Sequence, residues 1–333
     1  MYKLVFVTIT ILFISCTGSD KPDVSKINVD VKLERFEQDF FNMDSTQVDA
    51  GLNALQMKYP EFLPFFIQQI LQLNPGDPQT PSVVSQIISA YSPIHDSIQA
   101  KYGSLTWLEN DLEQAFKYVK HYYPNYNVPG IITYIATFDA PGVVVTPKHL
   151  GIGLHQYAGK NFSAYRVESI QQMYPAYISR RFDKEYIVPN AMKAVADDIY
   201  PDASVGRPLI EQMIEKGKHW FLLDRFLPDA QDSVKTGFTH KQLNWVNSNE
   251  GNIWAYITKN ENIYTIEPPV IQNYLGESPF TQGMPEEYAP GNLGQWIGWR
   301  IVEQFAAKNR LSVQEVLQTA PQQIFEGAAY RPK

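Results

Sequence analysis

A single cysteine, Cys16, lies near the start of a chain of 333 residues. One thiol can form neither an internal disulfide nor the group of thiolates that holds a structural zinc ion. The chain must therefore fold by burying apolar surface, and its 44% of hydrophobic residues are enough for a large core at this length. The cysteine itself needs a different explanation, which its position supplies.

The cysteine ends a short, mainly apolar run. Lys3 precedes this run, which covers 4–14 and has the length of a signal-peptide core, too short to cross a bilayer as a helix. Ser15 and Cys16 complete the sequence FISC, which resembles a bacterial lipobox. We therefore predict a lipoprotein signal peptide over 1–15 and a Cys16 that carries fatty acyl chains such as palmitate. The alternative is an unmodified thiol in a signal-anchor helix.

The residues after the cysteine predict a tether and a location in the cell envelope. The segment 16–28 is polar and has no apolar periodicity, so we expect a flexible tether between the lipid and a single globular domain over 29–333. An aspartate directly after the cysteine would favour retention in the inner membrane. Thr17 occupies that position, so the sequence favours the outer membrane. A net charge of −7 argues against a nucleic-acid partner.

Apolar periodicity predicts a mostly α-helical protein with a small antiparallel β-sheet, an α+β fold. The stretches 131–138 and 143–147 are rich in β-branched residues and are joined by the turn sequence DAPG, and a third apolar stretch follows at 150–154. The proline-rich segment 267–292 is expected to be a long loop. Helical spacing recurs over 44–71 (interrupted by Pro60 and Pro64), 82–101, 105–122, 186–199, 207–226, 239–258, 293–309 and 311–319.

No motif predicts a metal, a cofactor or a catalytic centre. The six histidines include no HExxH pair, and His149 and His155 are too far apart along an extended strand to share a metal. The segment 153–161 departs from a P-loop in its glycine spacing, and no GxSxG sequence is present. We therefore predict a protein without enzymatic activity, metal or cofactor.

Four of the six tryptophans lie in the C-terminal third of the chain, together with Tyr256 and Tyr264. Most of them lie in predicted helices at core spacing, so we expect a packing role for most. Large rigid side chains also suit a contact surface. The residues that we predict for a partner-binding groove are Trp254, Trp296, Trp299 and Arg300.

An ordered set of segments resembles the gliding-motility lipoprotein family GldB of Bacteroidetes. The most specific segment is PGxxGxWIGW, from Pro290 to Trp299. The set consists of the lipobox at Cys16, LERFEQDFF (33–41), YIATFDAPG (134–142), LGIGLHQYAGKN (150–161), EGNIWAYITKNENIYT (250–265), PGNLGQWIGWRIVEQF (290–305) and YRPK (330–333).

This resemblance implies a membrane-anchored envelope lipoprotein that supports gliding motility. It would act through contacts with other gliding or secretion proteins, in the assembly or function of the associated export machinery, and the resemblance implies no catalytic activity. The order of a small sheet followed by helices is also similar to a degenerate zincin-like scaffold, although 186–199 contains no histidine and so lacks the metal ligands. Two alternatives remain: a divergent zincin-like peptidase or hydrolase using His155 or an unrecognised carboxylate, and a lipoprotein that binds cell-wall glycan through the C-terminal aromatic residues.

Overall fold

The computed structural model describes residues 21–333, so the predicted signal peptide, Cys16 and residues 17–20 lie outside the described part of the chain. Most described residues are helical, as the sequence predicts. The helices are α1 (Phe36–Phe41), α2 (Val48–Lys58), α3 (Phe62–Phe65), α4 (Thr80–Lys101), α5 (Thr106–Tyr122), α6 (Glu168–Met173), α7 (Ala176–Ser179), α8 (Ile187–Ile199), α9 (Leu209–Phe226), α10 (Asp232–Thr236), α11 (His240–Ser248), α12 (Glu250–Asn260), α13 (Pro268–Leu275), α14 (Leu293–Asn309), α15 (Val313–Gln318) and α16 (Pro321–Ala328).

The sheet is mixed, so the prediction of an antiparallel sheet is wrong. Its strands are β1 (Leu33–Arg35), β2 (Gly130–Tyr134), β3 (Val143–Val145) and β4 (His149–Gly153), in the spatial order β1-β2-β4-β3. Strand β2 runs parallel to both of its neighbours, and only β3 is antiparallel, at the edge beside β4. Helix α8 packs on β3 and β4, and α1 packs on β2.

Burial explains why β2 does not form a hairpin with β3. The side chains of Ile131, Ile132 and Tyr134 are all buried, although successive residues of a strand point to opposite faces. A strand covered on both faces is typical of the centre of a parallel sheet. The DAPG turn is present, but the chain after it first forms the partly exposed edge strand and only then the central β4.

Helices α9 and α14 cross at a pair of glycines. A Cβ atom at Gly217 would lie 2.2 Å from the carbonyl carbon of Gly298, and a Cβ atom at Gly298 would lie 1.7 Å from the carbonyl oxygen of Met213. The distance between packed helices is set by the side chains at their contact, so two backbones can approach this closely only where those side chains are absent. The crossing therefore requires glycine on both helices.

The PGNLGQWIGW segment is consequently a packing motif. A Cβ atom at Gly291 would lie 2.2 Å from the carbonyl oxygen of Ser278, and a Cβ atom at Gly294 would lie 2.9 Å from the carbonyl oxygen of Tyr274. All three of its glycines therefore mark places where the segment touches another backbone.

A buried lysine next to the crossing ties α9 to the C-terminal helices. The Lys218 ammonium is 3.1 Å from a carboxylate oxygen of Glu215 and 3.1 Å from the hydroxyl of Tyr200. It also donates to the backbone carbonyls of Leu317 and Thr319, at 3.1 and 2.8 Å. Carbonyls at the end of a helix lack partners within the helix, and this ammonium supplies one. Burial lowers the pKa of Lys218, and the attraction of Glu215 opposes that shift.

Most predicted helices are confirmed with small changes at their ends. The predicted helix 239–258 is two helices, α11 and α12, which Asn249 separates. Thr239 begins α11 as expected, and it forms a capping box with Gln242. The predicted loop 267–292 contains α13, and α16 has no counterpart in the sequence-based prediction.

We expect Gly298→Ala to lower the free energy of unfolding by about 1–3 kcal/mol. The methyl group would force the α9 and α14 backbones apart, and overpacking of this kind costs about 1–3 kcal/mol. The urea midpoint at unchanged m-value measures the effect. Gly103→Ala is the control, because the nearest atom to its added Cβ is 3.9 Å away. Equal midpoints for the two variants would contradict the account of the crossing.

Candidate functional site

A cleft of about 600 Å³ opens between three parts of the fold. One wall is α5, the second is the turn Lys184–Tyr186 with the start of α8, and the third is the chain from the end of α9 into α10. Its apolar lining residues are Trp107, Ala115, Tyr118, Val188, Pro189, Phe226, Leu227, Pro228, Ala230 and Val234, and its polar ones are Asp111, Gln114, Asp183, Lys184, Glu185 and Asp229.

Helix α5 presents a second face to this cleft. Its main apolar stripe, which includes Leu108 and Leu112, is fully buried in the core. Trp107, Asp111 and Tyr118 follow one another at intervals of four and seven residues, which places them on a neighbouring face. The two aromatic residues outside the main stripe are the sequence signal that could have indicated the cleft.

Two of the four carboxylates at the cleft are neutralised by neighbouring lysines. Asp183 is 3.1 Å from the ammonium of Lys101, and Asp229 pairs with Lys21. Neither Asp111 nor Glu185 forms an ion pair with another described residue. The cleft therefore has an apolar interior and an excess of negative charge at its edges.

The charge of Lys184 does not balance this excess by a direct contact. Its ammonium lies 4.0 Å from the centre of the Trp107 ring, which is a cation–π contact. Burial raises the pKa of Asp111, and the positive charge of Lys184 only partly opposes the shift. Burial also favours a raised pKa for Asp183, but the backbone N–H of Lys184 and the ammonium of Lys101 outweigh it, and the pKa of Asp183 is lowered.

The chain enters the folded body at the edge of the same cleft. The ammonium of Lys21 pairs with Asp229 and lies 5.7 Å from the centre of the Tyr118 ring. Val24 is buried, so the described part of the predicted tether lies against the body. An extended chain covers at most about 3.6 Å per residue, so the Cα atom of Cys16 lies within about 18 Å of that of Lys21.

The structure divides the residues predicted for a partner-binding groove into two groups. Trp296 and Trp299 are 1% and 4% exposed, and the Trp299 ring packs edge-on against Trp220. They belong to the core around α9 and α14. The groove stays a prediction that depends on the remaining pair, Trp254 and Arg300.

Trp254 and Arg300 lie at one surface near the C-terminus. The Trp254 ring packs edge-on against Tyr330, with ring centres 5.5 Å apart. Tyr330 donates a hydrogen bond to Glu250, and Glu250 also pairs with Arg300 at 3.4 Å. Arg300 pairs in addition with Glu303 at 2.5 Å. Each charged group named at this surface has an ion-pair partner within the described chain, whereas Asp111 and Glu185 at the cleft have none there.

His155 lies inside the fold, at the end of β4. It is 0% exposed, and burial lowers its pKa to about 4, so the ring is neutral at pH 7. Its Nδ1 accepts a hydrogen bond from the backbone N–H of Ala136 at 3.4 Å, and its Nε2 is 3.3 Å from the carbonyl oxygen of Ala140. This geometry gives His155 a role in joining the ends of β2 and β4.

Residues 21–333 contain neither a membrane-spanning helix nor a group of metal-binding side chains. No helix in that range combines the length and the apolarity that a bilayer crossing requires. No three His, Cys, Asp or Glu side chains of the same range are grouped so that they could hold a metal ion.

The whole folded body matches a family of lipoproteins. The match covers residues 17–332, and it defines the class as a membrane-anchored protein of the cell envelope. The description of the family is "Gliding motility protein GldB", and the chain belongs to this family. The resemblance inferred from the ordered segments is thereby confirmed, whereas a zincin-like scaffold is not supported. No curated protein and no solved structure matches the chain.

We expect Asp111→Asn to raise the melting temperature at pH 7. A folded-state pKa above the usual value means that the charged carboxylate disfavours folding, and this penalty disappears once the pH falls below the ordinary pKa. The gain should therefore be present at pH 7 and absent at pH 3, as measured by thermal melting at both pH values.

Asp183→Asn is the matched control with the opposite sign. Its lowered pKa contributes stability above the ordinary pKa, which is lost as the pH falls through the lowered value. The melting temperature of this variant should fall at pH 7 and recover toward that of the parent in acid. A lower melting temperature for Asp111→Asn at pH 7 would contradict the electrostatic description of the cleft.

Proposed function

We propose that this gliding-motility lipoprotein is a non-enzymatic component of the envelope, held by an acylated Cys16 after removal of residues 1–15. It supports the assembly or function of the gliding and export machinery by binding other envelope proteins. The observation that carries the proposal is the location of the cleft, which has unbalanced carboxylates and lies where Lys21 joins the body to its tether.

A binding role fits the chemistry of the cleft. An apolar interior with a few charged groups at its edge is typical of a recognition site. Burial raises the pKa of Asp111, and a carboxylate with a perturbed pKa that lines a cleft is a candidate for a functional role. His155, which the hydrolase alternative would use, is buried and pairs with backbone groups.

The anchor is proposed to lie in the outer membrane, because Thr17 rather than an aspartate follows the cysteine. Two acyl chains or more are needed for a stable anchor, since each buried CH₂ contributes about 0.8 kcal/mol and a single chain binds only marginally. The membrane is thus a partner through Cys16, and the remaining partners are proteins.

We expect Cys16→Ser to abolish acylation and colony spreading together. Without the thiol no diacylglycerol can be attached, so the mature protein would not stay in the membrane fraction. The test is expression in a gliding strain that lacks its own copy, with labelled palmitate, membrane fractionation and a spreading assay.

Thr17→Ser is the control for this experiment, because it changes the neighbouring residue and keeps the thiol. It should be labelled and should spread like the parent. Unlabelled parent protein that retains Met1, or full spreading of Cys16→Ser, would refute the anchoring proposal.

We expect the purified lipoprotein to leave a peptide library uncleaved, with or without added zinc. The physical reason is that its proposed task needs a binding surface and no activated nucleophile. Mass spectrometry of the library measures cleavage. Cleavage that follows the protein through successive purification steps and disappears on heat unfolding would favour the peptidase alternative.

A further inference from the structure

We infer that the cleft binds an apolar segment flanked by lysine or arginine, contributed by a membrane-proximal part of a partner protein. This inference rests on the proposed function, because it gives the chemistry of one of its protein contacts. It follows from the lining of the cleft, from the distribution of charge at its edges and from its distance to the anchor.

The interior of the cleft suits apolar side chains. Its floor contains buried side chains, including Phe226 at the end of α9 and Ala115 in the middle of α5. The small side chain of Ala115 leaves room beside the larger Tyr118. A volume of about 600 Å³ is in the range of clefts that enclose a small ligand or a row of side chains from a helix.

The negative charge at the edges of the cleft favours binding of a segment with basic residues. Asp183 and Asp229 are already paired with Lys101 and Lys21, so they add little net charge for a partner. Asp111 on α5 and Glu185 before α8 lie on different walls and form no ion pair with another described residue. A segment in the cleft would therefore meet a carboxylate on either side, and a cation near each would improve the complementarity.

The location of the cleft near the anchor favours a partner segment at the membrane surface. Since Lys21 is at the edge of the cleft and the lipidated residue is at most about 18 Å away along the chain, the cleft cannot be far from the lipid headgroups. The residues between them, TGSD, are polar and end in Asp20, so they match neither the apolar interior nor the negative edges. A partner's basic segment at the bilayer surface satisfies both requirements.

The test is site-specific photo-crosslinking from inside the cleft. A photoreactive phenylalanine analogue replaces Gln114, which is exposed on the cleft wall, in the full-length lipoprotein expressed in a gliding strain without its own copy. Gln323, exposed on α16, receives the same analogue as the control. We expect crosslinks from position 114 to a protein segment with apolar residues flanked by Lys or Arg, identified by mass spectrometry of the joined peptides.

Charge reversal tests the role of the two carboxylates. The pair Asp111→Lys and Glu185→Lys should reduce the yield of that crosslink by more than about tenfold, because like charges would face each other across the contact. The matched pair Asp96→Lys and Glu286→Lys makes the same change in net charge at exposed sites outside the cleft and should leave the yield unchanged.

Four outcomes would overturn the inference. They are a crosslinked segment without basic residues, crosslinks to lipid or to residues 16–20 of the same chain, equal crosslinking from positions 114 and 323, and no effect of the charge reversal. Colony spreading is scored in the same cells. If any of these outcomes occurs while the cleft variants spread normally, only the inference about the cleft is rejected. Normal spreading in the Cys16→Ser strain would instead reject the anchoring part of the proposed function.

Discussion

The contact between Gly217 and Gly298 determines where most of the molecule can lie. It brings two long helices together with no side chain between their backbones, so it fixes the course of α9 through the core. One residue beyond Gly217, Lys218 binds the carbonyls at the end of α15. Two turns further on, α9 ends at Phe226 in the wall of the cleft. The geometry of a candidate binding site therefore depends on a helix crossing within the core.

The cleft combines features that lower the stability of the folded protein. Partly exposed apolar side chains and the charge of Asp111 both reduce stability, because the first expose apolar area and the second loses hydration. The structure neutralises two of its acidic groups with Lys101 and Lys21 and leaves Asp111 and Glu185 uncompensated among the described residues. At the surface around Trp254, Glu250 and Glu303 both pair with Arg300, so neither carboxylate there lacks an ion-pair partner.

Sequence periodicity was sufficient to predict the positions of the helices, because the residue patterns that indicate a helix lie within the helix itself. The stripe through Leu108 and Leu112 places α5 almost to the residue, and Thr239 marks the start of α11. The strand order of the sheet could not be predicted in the same way. The order of β3 and β4 depends on which strand is covered on both faces, and the helices that cover it are distant in the sequence. Trp296 and Trp299 are buried for a related reason: Gly298, which lies between them, lets α14 approach α9 closely enough to cover both rings.

The cleft was not predictable from spacing, because its walls come from three separate segments, 107–118, 183–189 and 226–234, which lie tens of residues apart in the sequence. Trp107 and Tyr118 lie outside the main stripe of α5, but nothing in the sequence places Glu185 or Val234 opposite them. The anchor, unlike the cleft, is predicted from local sequence. It was predicted from a few adjacent residues before Cys16, and the structure contributes the position of Lys21, which relates the anchor to the cleft.

The most direct measurement of the central claim is hydrogen exchange of the lipidated protein in its native membranes, compared with the same protein after extraction and purification. If a partner occupies the cleft beside the anchor, the amides of 227–231, which lie in the connection between α9 and α10, should exchange more slowly in the membranes than in the purified protein. The surface around Trp254 and Arg300 should exchange equally in both. Equal exchange at 227–231, or slower exchange confined to the second surface, would contradict the claim that this lipoprotein works through its cleft.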